Sequence, residues 1–206
     1  MSGRPTKLIG LTGAIAAGKS TVCAMFADLG AAVVDADALG RELLAQGTPL
    51  LRAVVEAFGE QVLGAGGELD RAALGRRVFA SAGDRRRLEQ LVHPAISALS
   101  RRRFVELGRA GHPVIVYEAA LLFEAGRQRE MEAVVLVVAD DELRRARLVA
   151  RDGITAEGAG ARMAAQLPQE KKVGLADYVI DNSGTREATR VQVEQTWQLI
   201  LEAKRA

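Results

Sequence analysis

The chain has 206 residues, 49% of them apolar and 26% charged, with 28 basic against 26 acidic side chains and a net charge of +2. That size carries one good core with room for an insertion, and balanced charge argues against a protein whose affinity comes from neutralising nucleic-acid phosphates. The single cysteine, Cys23, excludes an internal disulfide, and no apolar run nears the ~20 residues that span a bilayer.

The opening MSGRPTKLIGL passes from polar residues to a strand-like run without the apolar stretch and cleavage site of a signal peptide, so a cytoplasmic location is expected. Short β-branched runs follow at 7–11, 32–35, 114–117, 133–138 and 178–180. They are apolar without alternating and are separated by helical patterns. This predicts an α/β fold with a mostly parallel five-stranded sheet covered on both faces.

The first strand runs into GAIAAGKS, from Gly13 to Ser20, which matches G-x-x-x-x-G-K-[ST] and opens a helical pattern. Glycines let the chain wrap closely around a phosphate, with N–H groups and a helix N-terminus facing the negative charge. Nucleotide binding is therefore expected at Gly13, Ala16, Ala17, Gly18, Lys19, Ser20 and Thr21. Lys19 reaches the β- and γ-phosphates, and the Ser20 hydroxyl ligates Mg²⁺. A base-reading N-K-x-D is absent, and the D-x-x-G from Asp37 to Gly40 comes too early for a GTPase switch.

The second strand ends in VVDAD. On an extended chain Asp35 and Asp37 point the same way, so one carboxylate can serve as general base for an acceptor hydroxyl while its partner helps hold Mg²⁺. The competing reading is that they cap the helix ALGRELLA. Glu118, at the end of the 114–117 run, is a further candidate for approaching magnesium through water.

From 37 to 111 strand signals give way to helical ones, with starts at Pro49, Asp70 and Asp84 and a turn-rich connection at 59–67. A crossover needs only a dozen or so residues, so this stretch reads as a helical insertion. The densely charged segment 141–166 reads as a lid; there Arg144 and Arg145 are assigned to a solvated face. Over 186–204, Val193, Trp197, Ile200 and Leu201 fall on one helical face and are read as core.

GLTGAIAAGKSTV, FADLGAAVVDADALGREL, AFGEQVLGAGGELDRAALGRRVF, LVHPAI, LLFE, RDGIT and ADYVIDNSG, in that order across nearly the whole chain, resemble the successive motifs of the dephospho-CoA kinases. The resemblance implies a P-loop NTPase three-layer fold and ATP- and Mg²⁺-dependent phosphorylation of the ribose 3′-hydroxyl of dephospho-CoA. It implies one domain over 1–206: a nucleotide-binding core at 7–38, 112–140 and 176–206, an acceptor-binding insertion at 39–111 and a lid at 141–175. It makes Asp37 the base and puts Thr12, Arg71 and His93 on the acceptor side. Arg147 and Arg151 become lid residues for the phosphates, with Asn182 near adenine. His93 also reads, more plainly, as a helix-start or core residue.

The sequence departs from the family pattern at Ala14 and Ala16, where glycines are usual, and at Ala120, where a proline is usual. The alanines leave the loop intact if neither position needs a positive φ. No nucleic-acid or membrane partner is expected, and the assembly is expected to be a monomer or weak homo-oligomer. Two other readings remain: a related small-molecule or nucleotide kinase with the same loop, and a nucleotide-dependent nucleic-acid protein using the clusters Arg85 to Arg87 and Arg101 to Arg103. The latter arginines read more simply as solvated helix faces.

Overall fold

The computed structural model describes residues 6–203. In chain order it comprises β1 (Lys7–Gly13), α1 (Lys19–Asp28), β2 (Ala32–Asp35), α2 (Ala36–Leu43), α3 (Pro49–Phe58), α4 (Arg71–Ala80), α5 (Ala82–Arg109), β3 (Val114–Glu118), β4 (Ala133–Val138), α6 (Asp141–Asp152), α7 (Ala156–Ala164), α8 (Gln169–Val173), β5 (Tyr178–Asp181) and α9 (Arg186–Glu202). Two compact units emerge, one from the segments up to Val34 and from Glu106 onward, the other from Asp35–Val105.

The first unit is α/β. Its sheet has five strands in the order β2-β3-β1-β4-β5. The central β1 runs parallel to β3 and β4, with Lys7 opposite Val114 and Ile9 opposite Ala133, and β4 runs parallel to β5. Ile9, Leu11, Val116, Val135, Val137 and Ile180 from the strands pack with Phe26 of α1 and with Val193, Trp197 and Ile200 of α9 in one buried cluster. The apolar stripe of the last helix is therefore core, as its spacing indicated. α9 ends at Glu202, and Lys204 lies outside the described residues.

β1 continues two residues beyond the expected run because Gly13 still pairs with Val137. A Cβ at Gly13 would sit 2.5 Å from the Val137 carbonyl oxygen, so only glycine lets the strand stay in register to the point where the chain must turn. α7 and α9 are capped by the hydroxyls just before them: Thr155 Oγ1 accepts from Gly158 N at 3.1 Å and Thr185 Oγ1 from Ala188 N at 3.2 Å.

The second unit is helical and has its own apolar centre of Leu44, Val54, Phe58, Val62 and Leu74. Thr48 caps α3 just before Pro49, and Asp70 caps α4 through Ala73 N at 2.8 Å, so these helix starts fall where the sequence placed them. The start expected at Asp84 is corrected. α5 begins at Ala82, with Ser81 Oγ accepting from Asp84 N at 3.1 Å, while the Asp84 carboxylate takes Arg77 Nε at 2.9 Å. The same helix runs through Pro94, although the residue before a proline is biased against helix.

Among the described residues, no helix is long and apolar enough to cross a membrane.

Candidate active site

β1 delivers its last residue, Gly13, to a tight turn in which Ala17 N donates to Ala14 O at 3.1 Å. α1 then starts at Lys19 behind Gly18, whose φ is +92°. No side chain caps this helix and no acidic residue lies in its first turn. Its positive end is thus left for an anion.

The loop's outward groups are held by side chains from three other segments of the same unit. Asn182 Nδ2 donates to Ala17 O at 2.8 Å, Arg147 Nη1 donates to Ala16 O at 3.4 Å, and Ile15 N donates to Gln166 Oε1 at 2.8 Å. The amides of Ala16, Gly18 and Ser20, by contrast, have no hydrogen-bond partner among the described residues. Neighbouring donors left open on a bent backbone form an anion-binding concavity. Lys19 Nζ donates to Gly13 O at 3.4 Å, folding its stem along the turn.

Asn182 is buried, and all its groups are occupied: Oδ1 accepts from Thr189 Oγ1 at 3.0 Å, its main-chain O accepts from Arg147 Nη2 at 3.1 Å, and its N donates to Val138 O at 2.8 Å. It ties the start of α1 to the end of β5. A Cβ on Gly18 would lie 2.0 Å from Asn182 Nδ2, so Gly18 is fixed both by its φ and by this approach.

The condition placed on the alanines fails at one of them. Ala16 has φ +62° and is, among the described residues, the one non-glycine with positive φ. A left-handed L-residue costs about 1–2 kcal/mol, against about 0.5–1 kcal/mol for the extra chain freedom of glycine. Ala16→Gly is therefore expected to raise stability by roughly 0.5 kcal/mol, read as a slightly higher thermal midpoint; a lower midpoint would show that the turn is unstrained. Ala120 raises no such cost. Its amide has no partner among the described residues, and its carbonyl accepts from Thr12 Oγ1 at 3.4 Å. A proline there would forfeit no hydrogen bond. Thr12 itself is fully buried.

Arg147 is half-buried, and its guanidinium contacts only carbonyls, so it is a cation with no carboxylate partner among the described residues. Arg151 is placed differently: it is exposed and grips Asp152 at 2.7 and 3.1 Å, while Arg162 reaches the same carboxylate at 2.6 Å. The hydrogen bond from Arg151, ahead of the charges of both arginines, holds the Asp152 carboxyl below its ordinary range.

Assigning Arg144 to a solvated face is corrected. It is 5% exposed and tied to Asp141 at 3.2 Å and to Gln169 Oε1 at 3.3 Å; Arg145 is exposed as expected. Gln169 in turn bonds the amide and carbonyl of Ala139 at 3.2 and 3.4 Å, and fully buried Lys172 pairs with Glu124 at 2.9 Å. α8 is pinned by these bonds. A cleft of about 430 Å³ separates Ala14 of the loop from Arg144, Arg145, Met163, Gln166 and Gln169.

In the second unit the two aspartates part company. The chain leaves extended geometry after Asp35, so the same-side argument fails. Asp35 Oδ1 accepts from Asp37 N at 2.7 Å and Ala38 N at 3.1 Å, capping α2, and Oδ2 meets Arg41 at 3.3 Å. Asp37 stands exposed in the first turn of α2, its carboxylate without a partner among the described residues. Arg71 is exposed at the start of α4. His93 is exposed in mid-helix, which corrects both the helix-start and the core reading.

No group of three or more His, Cys, Asp or Glu side chains able to hold a metal occurs among the described residues. Ser20 is exposed at the head of α1, and the Glu118 carboxylate, at the end of β3, has no hydrogen-bond or ion-pair partner among them. A hydroxyl beside open amides, with few carboxylates, suits Mg²⁺, which is commonly bound through substrate phosphates and one or two protein groups.

A family model described as dephospho-CoA kinase matches residues 7–187. A dephospho-CoA kinase of Symbiobacterium thermophilum is 47% identical over 93% of this chain and 80% of its own. One of Geobacter sulfurreducens is 47% identical over 92% of this chain and 96% of its own. Among solved structures, TT1252 from Thermus thermophilus superposes with TM-score 0.83 at 35% identity, covering 97% of this chain and all of that one. A dephospho-CoA kinase from Campylobacter jejuni gives 0.70 at 27% identity, covering 96% and 98%.

Proposed function

The chain belongs to the dephospho-CoA kinase family, and from that premise we propose how its residues transfer the γ-phosphoryl group of ATP to the ribose 3′-hydroxyl of dephospho-CoA, the last step in making coenzyme A. The observation that carries the donor half is the set of open amides at Ala16, Gly18 and Ser20. They bind phosphate oxygens in place of water, with Gly13, Ala17 and Thr21 completing the wrap and Lys19 placed for the β- and γ-phosphates.

The transferred group passes through a loose transition state with charge on its equatorial oxygens, so the protein's work is positioning and electrostatic stabilisation. Lys19 and Arg147 supply that charge. Arg147 is ready for it because carbonyls alone hold its guanidinium. Arg151 joins by leaving Asp152. Ser20, with Asp35 or Glu118 through water, would hold magnesium, which would supply positive charge to the phosphates.

Asp37 orients the acceptor hydroxyl and takes its proton as the bond to phosphorus forms. Its carboxylate has no partner to displace, whereas that of Asp35 is committed to a cap. Thr12, Arg71 and His93 belong to the acceptor side, Thr12 through the backbone it supports. Asn182 lies on the nucleotide side, near adenine, and also holds the loop at Ala17. The reaction needs no nucleic-acid or membrane partner and suits a cytoplasmic monomer or weak homo-oligomer.

The decisive assay offers ATP with dephospho-CoA, then with a panel of nucleosides, nucleotides and shikimate. Coenzyme A formation is expected with dephospho-CoA far above any other acceptor. Equal or better turnover of a nucleoside would move the chain's acceptor elsewhere.

A further inference from the structure

Gln166 entered the sequence reading only as the end of a charged stretch, yet it makes a contact that spans most of the chain, from the connection after α7 back to Ile15. We propose that Gln166 is a positioning residue for phosphoryl transfer: by accepting from the Ile15 amide it holds the phosphate loop in the geometry that leaves the neighbouring amides open for nucleotide.

The chemistry of the contact is unambiguous. A backbone N–H is a donor, so the side-chain amide must present Oε1 to it. Ile15 N is then withdrawn from ligand binding, and its neighbour Ala16 N stays open. The contact also sits where the loop most needs holding. Ala16 has the left-handed φ of +62°, and on its two sides the turn is gripped by Gln166 at Ile15 and by Asn182 at Ala17.

Gln166 can act as a strut because its own backbone is fixed. Its N–H donates to Met163 O at 3.3 Å, and two residues on Pro168 precedes α8, in which Gln169 bonds Ala139 and Lys172 pairs with Glu124. The lid segment is thereby connected to the phosphate loop at Ile15, beside the longer bond from Arg147 to Ala16 O.

This inference rests on the kinase reading, but part of its test does not. In the nucleotide-free wild-type protein, residue-resolved hydrogen exchange should find Ile15 N–H protected and Ala16 and Gly18 N–H fast. Adding ADP should slow the latter two. Ile15 exchanging as fast as Ala16 would overturn the strut whatever the enzyme's acceptor proves to be.

The second part uses Gln166→Leu, which keeps bulk and removes the acceptor. One net hydrogen bond corresponds to about a 2–12-fold effect, so ADP and a non-hydrolysable ATP analogue should both bind about 5–10-fold more weakly. The KM for dephospho-CoA should stay unchanged. Unaltered ADP affinity would overturn the proposal, because a residue touching only the transferred phosphate or the acceptor, or serving the fold alone, leaves ADP binding intact. Should Gln166→Leu not fold, Gln166→Met, with a weaker acceptor of similar length, is measured in the same way and judged by the same outcomes.

Discussion

Asp37→Asn is expected to bind ATP as the wild type does and to lose about 10²–10⁴-fold in turnover, the range general-base catalysis supplies. Asparagine keeps the size of the side chain and its place in the first turn of α2 while removing the basic oxygen. The Asp37 carboxylate makes no hydrogen bond or ion pair among the described residues, so folding has little to lose. The informative control is Asp35→Asn. There the change touches a cap and an Arg41 contact, and asparagine caps nearly as well as aspartate, so stability should move little and turnover should fall far less than in Asp37→Asn. Wild-type turnover by Asp37→Asn, measured with both substrates saturating, would refute the base assignment.

Lys19→Ala is expected to lose about a hundredfold or more in turnover, because removing one preorganised donor to developing charge costs about 2.7–4 kcal/mol of barrier. The loop itself should survive. Its shape rests on Asn182, Arg147 and Gln166 and on the turn from Ala14 to Ala17. The lysine bond to Gly13 O is long at 3.4 Å and contributes little. An unchanged thermal midpoint with collapsed turnover separates a charge role from a structural one; retained turnover would mean that Arg147 alone stabilises the transferred group.

How far the sequence could be read follows a physical boundary. The strands, the loop and the helix starts at Pro49 and Asp70 were visible because each is written in adjacent residues: a β-branched run, a spacing of glycines, a proline or a carboxylate where a helix begins. The Asp35 cap was also local and was one of two readings left open, because nothing within VVDAD marks where extended chain yields to helix. The backbone groups held by Gln166 and Asn182, the burial of Arg144 and the pair Lys172 with Glu124 are written nowhere locally. Each joins residues from distant parts of the chain, and a glutamine before Leu-Pro or an arginine in a charged helix carries no mark of what it will face. The φ of Ala16 belongs to the same class, since the surroundings of the turn impose it against the residue's preference.

The register of β1 bears on the order in which the protein can take shape. As the chain leaves the ribosome, this strand is made first, yet its two neighbours start at Val114 and Ala133. Until they exist, an apolar strand with open edges has nothing to pair with, and closing so long a loop carries an entropic cost. The segment Asp35–Val105 needs no such wait, having an apolar centre drawn wholly from its own residues. During synthesis the helical unit can therefore condense while the nucleotide-binding half is still incomplete, and β1 is the segment most exposed to chaperones or to wrong partners in that interval.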